Sequence, residues 1–70
     1  MKKVFIKTET INLDQFLKWS GIFSTGGEAK IAIAEGSVKV NGTIETKRSR
    51  KLKEFDIVEL AGYRLLVVRR

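Results

Sequence analysis

The dipeptide Asn41-Gly42 is the feature that most restricts how this chain can fold. Asn-Gly is typical of two-residue type I′ hairpin turns, because both central positions of such a turn need a positive φ. The residues before it, 37–40, alternate between polar and apolar types as a half-buried strand does. A strict two-residue loop pairs Lys39 with Ile44 on one face, whereas a longer loop or a bulge would let Ile44 face the core. We therefore predict a β-hairpin, with both registers open.

Two helix signals precede the hairpin. Asn12 is a candidate N-cap with Gln15 three residues on to complete a capping box, and Gly21 is a candidate helix end. Thr25 and Glu28 form a second capping box. The apolar stripes that follow consist of Leu13, Phe16 and Leu17, and of Ala29, Ala32, Ile33 and Gly36. These signals predict a helical hairpin over residues 13–35.

Strand-like segments flank the helices. Residues 3–7, 56–60 and 64–69 are rich in β-branched and large apolar types, and Ala61-Gly62-Tyr63 forms a turn between the last two. The predicted order is β-α-α-β-β-β-β. We expect an α+β fold in which a two-helix hairpin packs on a small antiparallel sheet of four to five strands. No linker or repeat interrupts the sequence, so we expect a single domain over residues 1–70.

Composition excludes most chemistry. The chain has no cysteine and no histidine, which removes thiolate and imidazole metal ligands and the Ser–His and Cys–His nucleophilic pairs. Its carboxylates are dispersed and show no acid–base or metal-ligand spacing. No apolar run approaches the ~20 residues that cross a bilayer. We expect a cytoplasmic protein that is not an enzyme and uses no metal, cofactor, small-molecule substrate or membrane.

Charge points to a polyanionic partner. The formal net charge is +6, and residues 47–53, which we call the basic segment, contain five basic side chains and no acidic one. They are Lys47, Arg48, Arg50, Lys51 and Lys53. The segment lies between strand signals, so we expect a loop or an irregular edge. Charge runs are often only solvated surface, but five like charges repel one another, which favours contact with phosphates.

The region 12–60 resembles the S4 domain, also called the αL RNA-binding motif. Four blocks carry the resemblance in the family's order: Leu13-Asp14-Gln15-Phe16-Leu17-Lys18, Ser24-Thr25-Gly26-Gly27-Glu28-Ala29-Lys30, Gly36-Ser37-Val38-Lys39-Val40-Asn41-Gly42 and Asp56-Ile57-Val58-Glu59-Leu60. Asn12 and Gly26 stand where the family usually has arginine. The Thr-Gly-Gly-Glu-Ala-Lys form is similar to free-standing, single-domain bacterial members, the YaaA/YbcJ-like group.

The resemblance implies a monomeric protein that binds structured RNA, with ribosomal RNA or ribosome assembly as the context. The preference for RNA over DNA rests on the resemblance, because charge does not sense the 2′-OH. The alternative is a basic adaptor that docks on an acidic or ribosomal protein surface.

Fifteen residues form the predicted RNA face. They are Asn12, Asp14, Gln15, Lys18, Thr25, Gly26, Gly27, Lys30, Lys39, Asn41, Lys47, Arg48, Arg50, Lys51 and Lys53. The three lysines outside the basic segment either border one positive groove with it or simply solubilise the surface. Thr25-Gly26-Gly27 opens a helix whose free N–H groups suit an anion, although a plain capping box explains it equally well.

Three further positions have competing explanations. Turn geometry explains Asn41 better than a base or 2′-OH contact does. Asp14 either orients a basic neighbour or favours the helix dipole. Trp19 is the only tryptophan, and packing in the core or hinge is preferred over stacking on a base. We assign the four phenylalanines, Phe5, Phe16, Phe23 and Phe55, to the core.

Overall fold

Nine regular elements form the chain, and the computed structural model describes all 70 residues. They are β1 (Lys2–Ile6), β2 (Thr10–Asn12), α1 (Leu13–Trp19), α2 (Gly26–Ala34), β3 (Lys39–Val40), β4 (Thr43–Ile44), β5 (Lys51–Lys53), β6 (Ile57–Leu60) and β7 (Tyr63–Arg69). One sheet has the strand order β1-β7-β6-β3-β4, and β2 pairs with β5 in a separate two-stranded ribbon. The two helices share one core with the sheet, so the predicted α+β class and hairpin-on-sheet arrangement are confirmed.

The β1 strand runs parallel to its neighbour β7, with Lys2 opposite Leu65 and Ile6 opposite Arg69. All other strand pairs are antiparallel. The prediction of a wholly antiparallel sheet is therefore wrong at this edge. Parallel strands need a long crossover, and here the helical hairpin and five strands separate β1 from β7 along the chain.

The Asn41-Gly42 turn has the tight form. Its φ angles are 51° at Asn41 and 85° at Gly42, and Lys39 is opposite Ile44. Positive φ at both positions is the requirement of a type I′ turn, so the predicted hairpin is confirmed. Ile44 shares the outer face of the sheet with Lys39 and is 56% exposed. The looser register that would have turned Ile44 towards the core does not form.

Helix α1 begins differently from the prediction. Asn12 is extended, and its side chain makes no capping bond, so the capping box with Gln15 is wrong. The first two amide N–H groups of the helix instead donate to the carbonyl oxygens of Arg50 and Arg48, at 2.8 and 3.2 Å. These acceptors come from a loop almost forty residues further along the chain, which a local capping rule does not consider.

Helix α2 begins as predicted. The Thr25 hydroxyl oxygen accepts the Glu28 amide at 3.2 Å, which is the capping-box bond. The glycines that follow the two helices, Gly21 and Gly36, have φ of 85° and 78°. That left-handed conformation is the usual helix-ending one, so Gly21 is confirmed as the end signal of α1.

The core consists of 14 buried apolar side chains from both helices and both sheets. They are Val4, Ile6, Leu13, Phe16, Leu17, Ala29, Ile33, Val38, Val40, Leu52, Val58, Leu60, Leu65 and Val67. Both predicted helix stripes contribute to it, and Ala32 packs at its margin. Burial of each large side chain stabilises the fold by roughly 1.5–3 kcal/mol.

Most of the aromatic side chains lie outside this core. Phe16 is fully buried and Phe23 partly buried, but Phe5, Phe55 and Trp19 are exposed, so those three core assignments are wrong. Phe5 faces outward because its neighbours on both sides in β1 face the core. Phe55 lies in the turn between β5 and β6, with a φ of 73°. Trp19 is the last residue of α1, where the helix leaves the sheet's apolar face.

Candidate nucleic-acid interface

The ribbon of β2 and β5 holds the second half of the basic segment in a regular strand. Asn12 is opposite Lys51, Ile11 opposite Leu52 and Thr10 opposite Lys53. Leu52 is fully buried, so the alternation of the strand turns the two lysines outward. The basic segment is therefore part turn and part strand, and its side chains are more ordered than the predicted loop implied.

The first half of the basic segment lies against the beginning of α1. The carbonyls of Arg48 and Arg50 accept the first helical amides, so the backbone of residues 48–50 is the cap of the helix. Beside this contact, the Lys51 ammonium donates to Asn12 Oδ1 at 2.9 Å. Four of the predicted site residues, Asn12, Asp14, Arg48 and Lys51, are thereby brought together at one end of α1.

One cation of the basic segment is locally neutralised. Arg50 Nη1 lies 2.8 Å from Glu45 Oε2, and both side chains are partly shielded from water. Glu45 Oε1 also accepts the Lys47 amide at 3.1 Å. The hydrogen bond from the Arg50 guanidinium, and then that from the Lys47 amide, hold the pKa of the Glu45 carboxyl below its ordinary value of 4.5. Glu45 thus fastens the turn that carries the basic segment.

The other four cations of the segment have no acidic partner. The structure has only two ion pairs, Arg50–Glu45 and Arg64–Glu59. The four unpaired side chains are exposed, and they are Lys47, Arg48, Lys51 and Lys53. Unpaired cations on a fixed backbone form a preorganised surface for phosphates, since the charges need not be brought together on binding.

Asn41 has a structural role beyond its turn. Its Nδ2 donates to Asp56 Oδ1 at 3.0 Å, and its Oδ1 accepts the Ile57 amide at 2.9 Å. Asp56 is buried, and its other oxygen accepts the Lys53 amide at 2.9 Å. Asn41 therefore ties the hairpin turn to the connection between β5 and β6. Turn geometry and this network account for Asn41, while contact of Asn41 with a base or a 2′-OH stays a prediction.

The Thr25-Gly26-Gly27 segment stands apart from the basic segment, and no hydrogen bond or ion pair joins the two. A Cβ at Gly26 would meet nothing within 4 Å, and one at Gly27 would meet only the Thr25 hydroxyl at 3.8 Å. Packing therefore does not require either glycine. The Thr25–Glu28 cap explains the segment locally, and its contact with phosphate stays a prediction.

The remaining predicted residues are exposed and dispersed. Lys18 and Lys30 lie on the solvent sides of α1 and α2, and the Gln15 amide donates to Asp14 Oδ1 at 2.8 Å. Lys39 is opposite Glu59, and its neighbours in sequence face the core. Lys39 thus lies on the sheet face opposite the helices, so one groove does not contain all three lysines and the basic segment.

Two features of this site were missed by sequence reasoning. Glu45 and Asp56 are acidic residues that order the basic segment from either side. The signal for Asp56 was its position just before a strand, where a short carboxylate commonly accepts backbone amides. Glu45 had no such signal, because its partner Arg50 lies across a turn of undefined shape.

Two other kinds of site were searched for. No group of three or more carboxylates comes together where it would hold a metal ion. Helices of seven and nine residues are also too short to span a bilayer.

Comparison with known proteins gives consistent matches along nearly the whole chain. A family model described as "S4 domain" matches residues 4–68. "Probable ribosome maturation protein RlbA" of Bacillus subtilis (strain 168) is 42% identical over 60 residues, which cover 86% of this chain and 84% of RlbA. YbcJ of Escherichia coli (strain K12) is 43% identical over 58 residues, 83% of each chain.

Solved structures share the fold. The solution structure of YbcJ from E. coli, reported to reveal an αL motif involved in RNA binding, has a TM-score of 0.75 and 39% identity. The match covers 97% of this chain and 87% of that one. The 30S ribosomal protein S4e from Thermoplasma acidophilum has a TM-score of 0.63 at 24% identity, covering 83% of this chain and 31% of S4e. At that identity the second match shows a shared fold alone.

Proposed function

This chain belongs to the S4 domain family, and from that membership we propose that it is a non-enzymatic protein that binds structured RNA, with ribosomal RNA as its target. The name of its relative RlbA, a ribosome maturation protein, supports the ribosomal context. The αL motif of YbcJ, described as involved in RNA binding, supports the partner class. The absence of histidine and cysteine from the sequence supports a binding role over a catalytic one.

The observation that carries the proposal is the anchored basic segment at the beginning of α1. Lys51 and Lys53 project from one strand with Cα atoms about 7 Å apart, since a strand rises about 3.3 Å per residue. Arg48 and Lys47 continue the surface along the turn. Such a surface follows the phosphates of a folded RNA, and phosphate contacts of this kind determine affinity and register.

The pair of Asn12 and Lys51 supports binding despite a departure from the family pattern. Asn12 stands where S4 domains usually have arginine, which removes one cation from the expected face. The Lys51 ammonium, 2.9 Å from Asn12 Oδ1, returns a positive charge to the same location. Asn12 also offers an amide that can contact a sugar hydroxyl, the group that distinguishes RNA from DNA.

A filter-binding titration tests the proposal. Fragments of ribosomal RNA are compared with a duplex DNA of equal length and with heparin, at two salt concentrations. We expect at least one RNA fragment to bind more tightly than both other polyanions, and the variant R48Q/K51Q to weaken that binding. The matched control R64Q/R69Q removes the same charge from the opposite end of the molecule. Equal binding of all polyanions would contradict the proposal and favour the adaptor role.

A further inference from the structure

A second basic surface, remote in sequence from the basic segment, surrounds the exposed tryptophan. A shallow cavity of about 330 Å³ lies along the outer edge of β1. We call it the tryptophan pocket, and the residues used here are Lys2, Lys3, Phe5, Lys7, Trp19 and Arg70. Four of these are cationic, two are aromatic, and no acidic side chain lines the pocket. Its volume is at the lower end of the range for small-ligand sites.

The indole of Trp19 is exposed but held in place. Its Nε1–H donates to the Phe5 carbonyl at 2.9 Å, on the edge of β1 that pairs with no strand. The side chain is 63% exposed, so this bond fixes one edge of the ring while much of its surface stays open to solvent. A large aromatic surface kept out of the core suits stacking, because every nucleobase presents a π-face.

The cations of the pocket are also anchored without acidic partners. The Arg70 guanidinium lies 4.9 Å from the centre of the Phe5 ring, and the Arg70 amide donates to the Ile6 carbonyl at 2.9 Å. Lys2 Nζ donates to the Ser20 carbonyl at 3.4 Å, next to Trp19. Protection of the open β1 edge would explain the Trp19 bond, but it does not explain four convergent positive charges, which require an anion.

We propose that the tryptophan pocket binds an unpaired nucleotide of an RNA strand, with the base stacked on Trp19 and the adjoining phosphates bound by Lys2, Lys7 and Arg70. The inference rests on the proposed function and deepens it. Helix α1 connects the two surfaces, with the basic segment at Leu13 and the pocket at Trp19. Six helical steps separate them by about 9 Å along the axis. A folded RNA on the basic segment can therefore extend an unpaired nucleotide to the pocket.

Trp19 is the only tryptophan, so its emission reports on the pocket directly. The full chain is titrated with a single-stranded uridine hexamer and, separately, with inorganic polyphosphate of similar charge. We expect the hexamer to quench the emission, since a stacked base deactivates the excited indole, and polyphosphate to leave it nearly unchanged. Equal quenching by both would overturn the inference, because the pocket would then respond to charge alone.

Variants separate stacking from the structural bond. With a fluorescein-labelled hexamer and anisotropy as readout, we expect W19L to weaken binding about tenfold and W19F, which keeps a ring but loses the Nε1 bond, to weaken it much less. K2Q/K7Q also weakens binding, whereas Y63L and R64Q/R69Q do not, because those residues lie outside the pocket. Unchanged hexamer affinity in W19L, with folding verified by circular dichroism, would overturn the inference.

The same assays distinguish this inference from the proposed function. R48Q/K51Q is expected to lose affinity for structured RNA while the hexamer still quenches Trp19. If the wild-type chain binds structured RNA but the hexamer neither binds nor quenches, the pocket assignment is wrong and the proposed function stands. If no RNA binds better than polyphosphate, the proposed function fails and the pocket assignment fails with it.

Discussion

The amide of Leu13 donates a 2.8 Å hydrogen bond to the carbonyl of Arg50, and this contact joins the beginning of α1 to the basic segment. It uses the backbone of Arg50, so changing side chains of the segment leaves it intact. The cations at this surface are consequently separable from the fold. Charge substitutions here test binding with little effect on stability, because exposed side chains away from specific contacts usually change it by less than about 0.5 kcal/mol.

The salt dependence of RNA binding reports on phosphate contacts. We expect R48Q/K51Q to reduce the slope of log affinity against log salt by about 1.4 to 1.8, since each lost phosphate contact removes about 0.7 to 0.9. Filter binding at four salt concentrations measures the slope. R64Q/R69Q, with the same loss of charge, should keep the wild-type slope. If both variants change it equally, the contacts are not localised at the basic segment.

Glu45 makes part of the stability depend on pH. Its pKa is lowered in the folded chain, chiefly by the Arg50 hydrogen bond, so ionised Glu45 favours folding. This contribution is present above its ordinary pKa of 4.5 and is lost as pH falls through the lower folded value. Urea unfolding at pH 7 and pH 3 compares wild type with E45Q. We expect the wild type to be more stable at pH 7 and the difference to shrink at pH 3. A constant difference would show that the ionised carboxylate contributes nothing.

Asn41 should matter for stability through two separable effects. N41A loses the bonds to Asp56 and Ile57 and also places a Cβ-bearing residue without a compensating side chain at positive φ. We expect a loss of about 2–4 kcal/mol in the free energy of unfolding. N41G loses the same bonds but accepts the φ of 51°, so it should be about 1 kcal/mol more stable than N41A. Equal stabilities in thermal unfolding would mean that the turn conformation carries no cost.

Phe16 and Phe55 should differ sharply although the sequence treats them alike. F16A removes a fully buried ring and should cost about 3–5 kcal/mol, a large share of the roughly 3.5–10 kcal/mol expected for a chain of this length. Phe55 is 69% exposed, so F55A should change stability by less than about 0.5 kcal/mol. Urea midpoints measure both, and a loss at F55A comparable to that of F16A would contradict the assigned core.

Prediction from sequence succeeded where neighbouring residues decide the outcome. The Asn41-Gly42 turn, the Thr25–Glu28 cap and the stripe containing Phe16 each depend on residues within a few positions of one another. The S4 motif blocks were recognised for the same reason, since they combine such local signals in a characteristic order. The part of the candidate site within one block was therefore predictable: the exposed cations of the basic segment and their separation from the core.

What failed depends on contacts between residues far apart in the chain. The cap of α1 comes from Arg48 and Arg50, β1 joins β7 in parallel, and Trp19 binds the Phe5 carbonyl instead of entering the core. Local sequence determined the turns, the helix stripes and the amount of positive charge, because these follow from backbone preferences and residue type. Only the tertiary structure decided where that charge is displayed and which aromatic rings stay exposed. Those outcomes depend on how the whole core is buried at once, and no short segment contains that information.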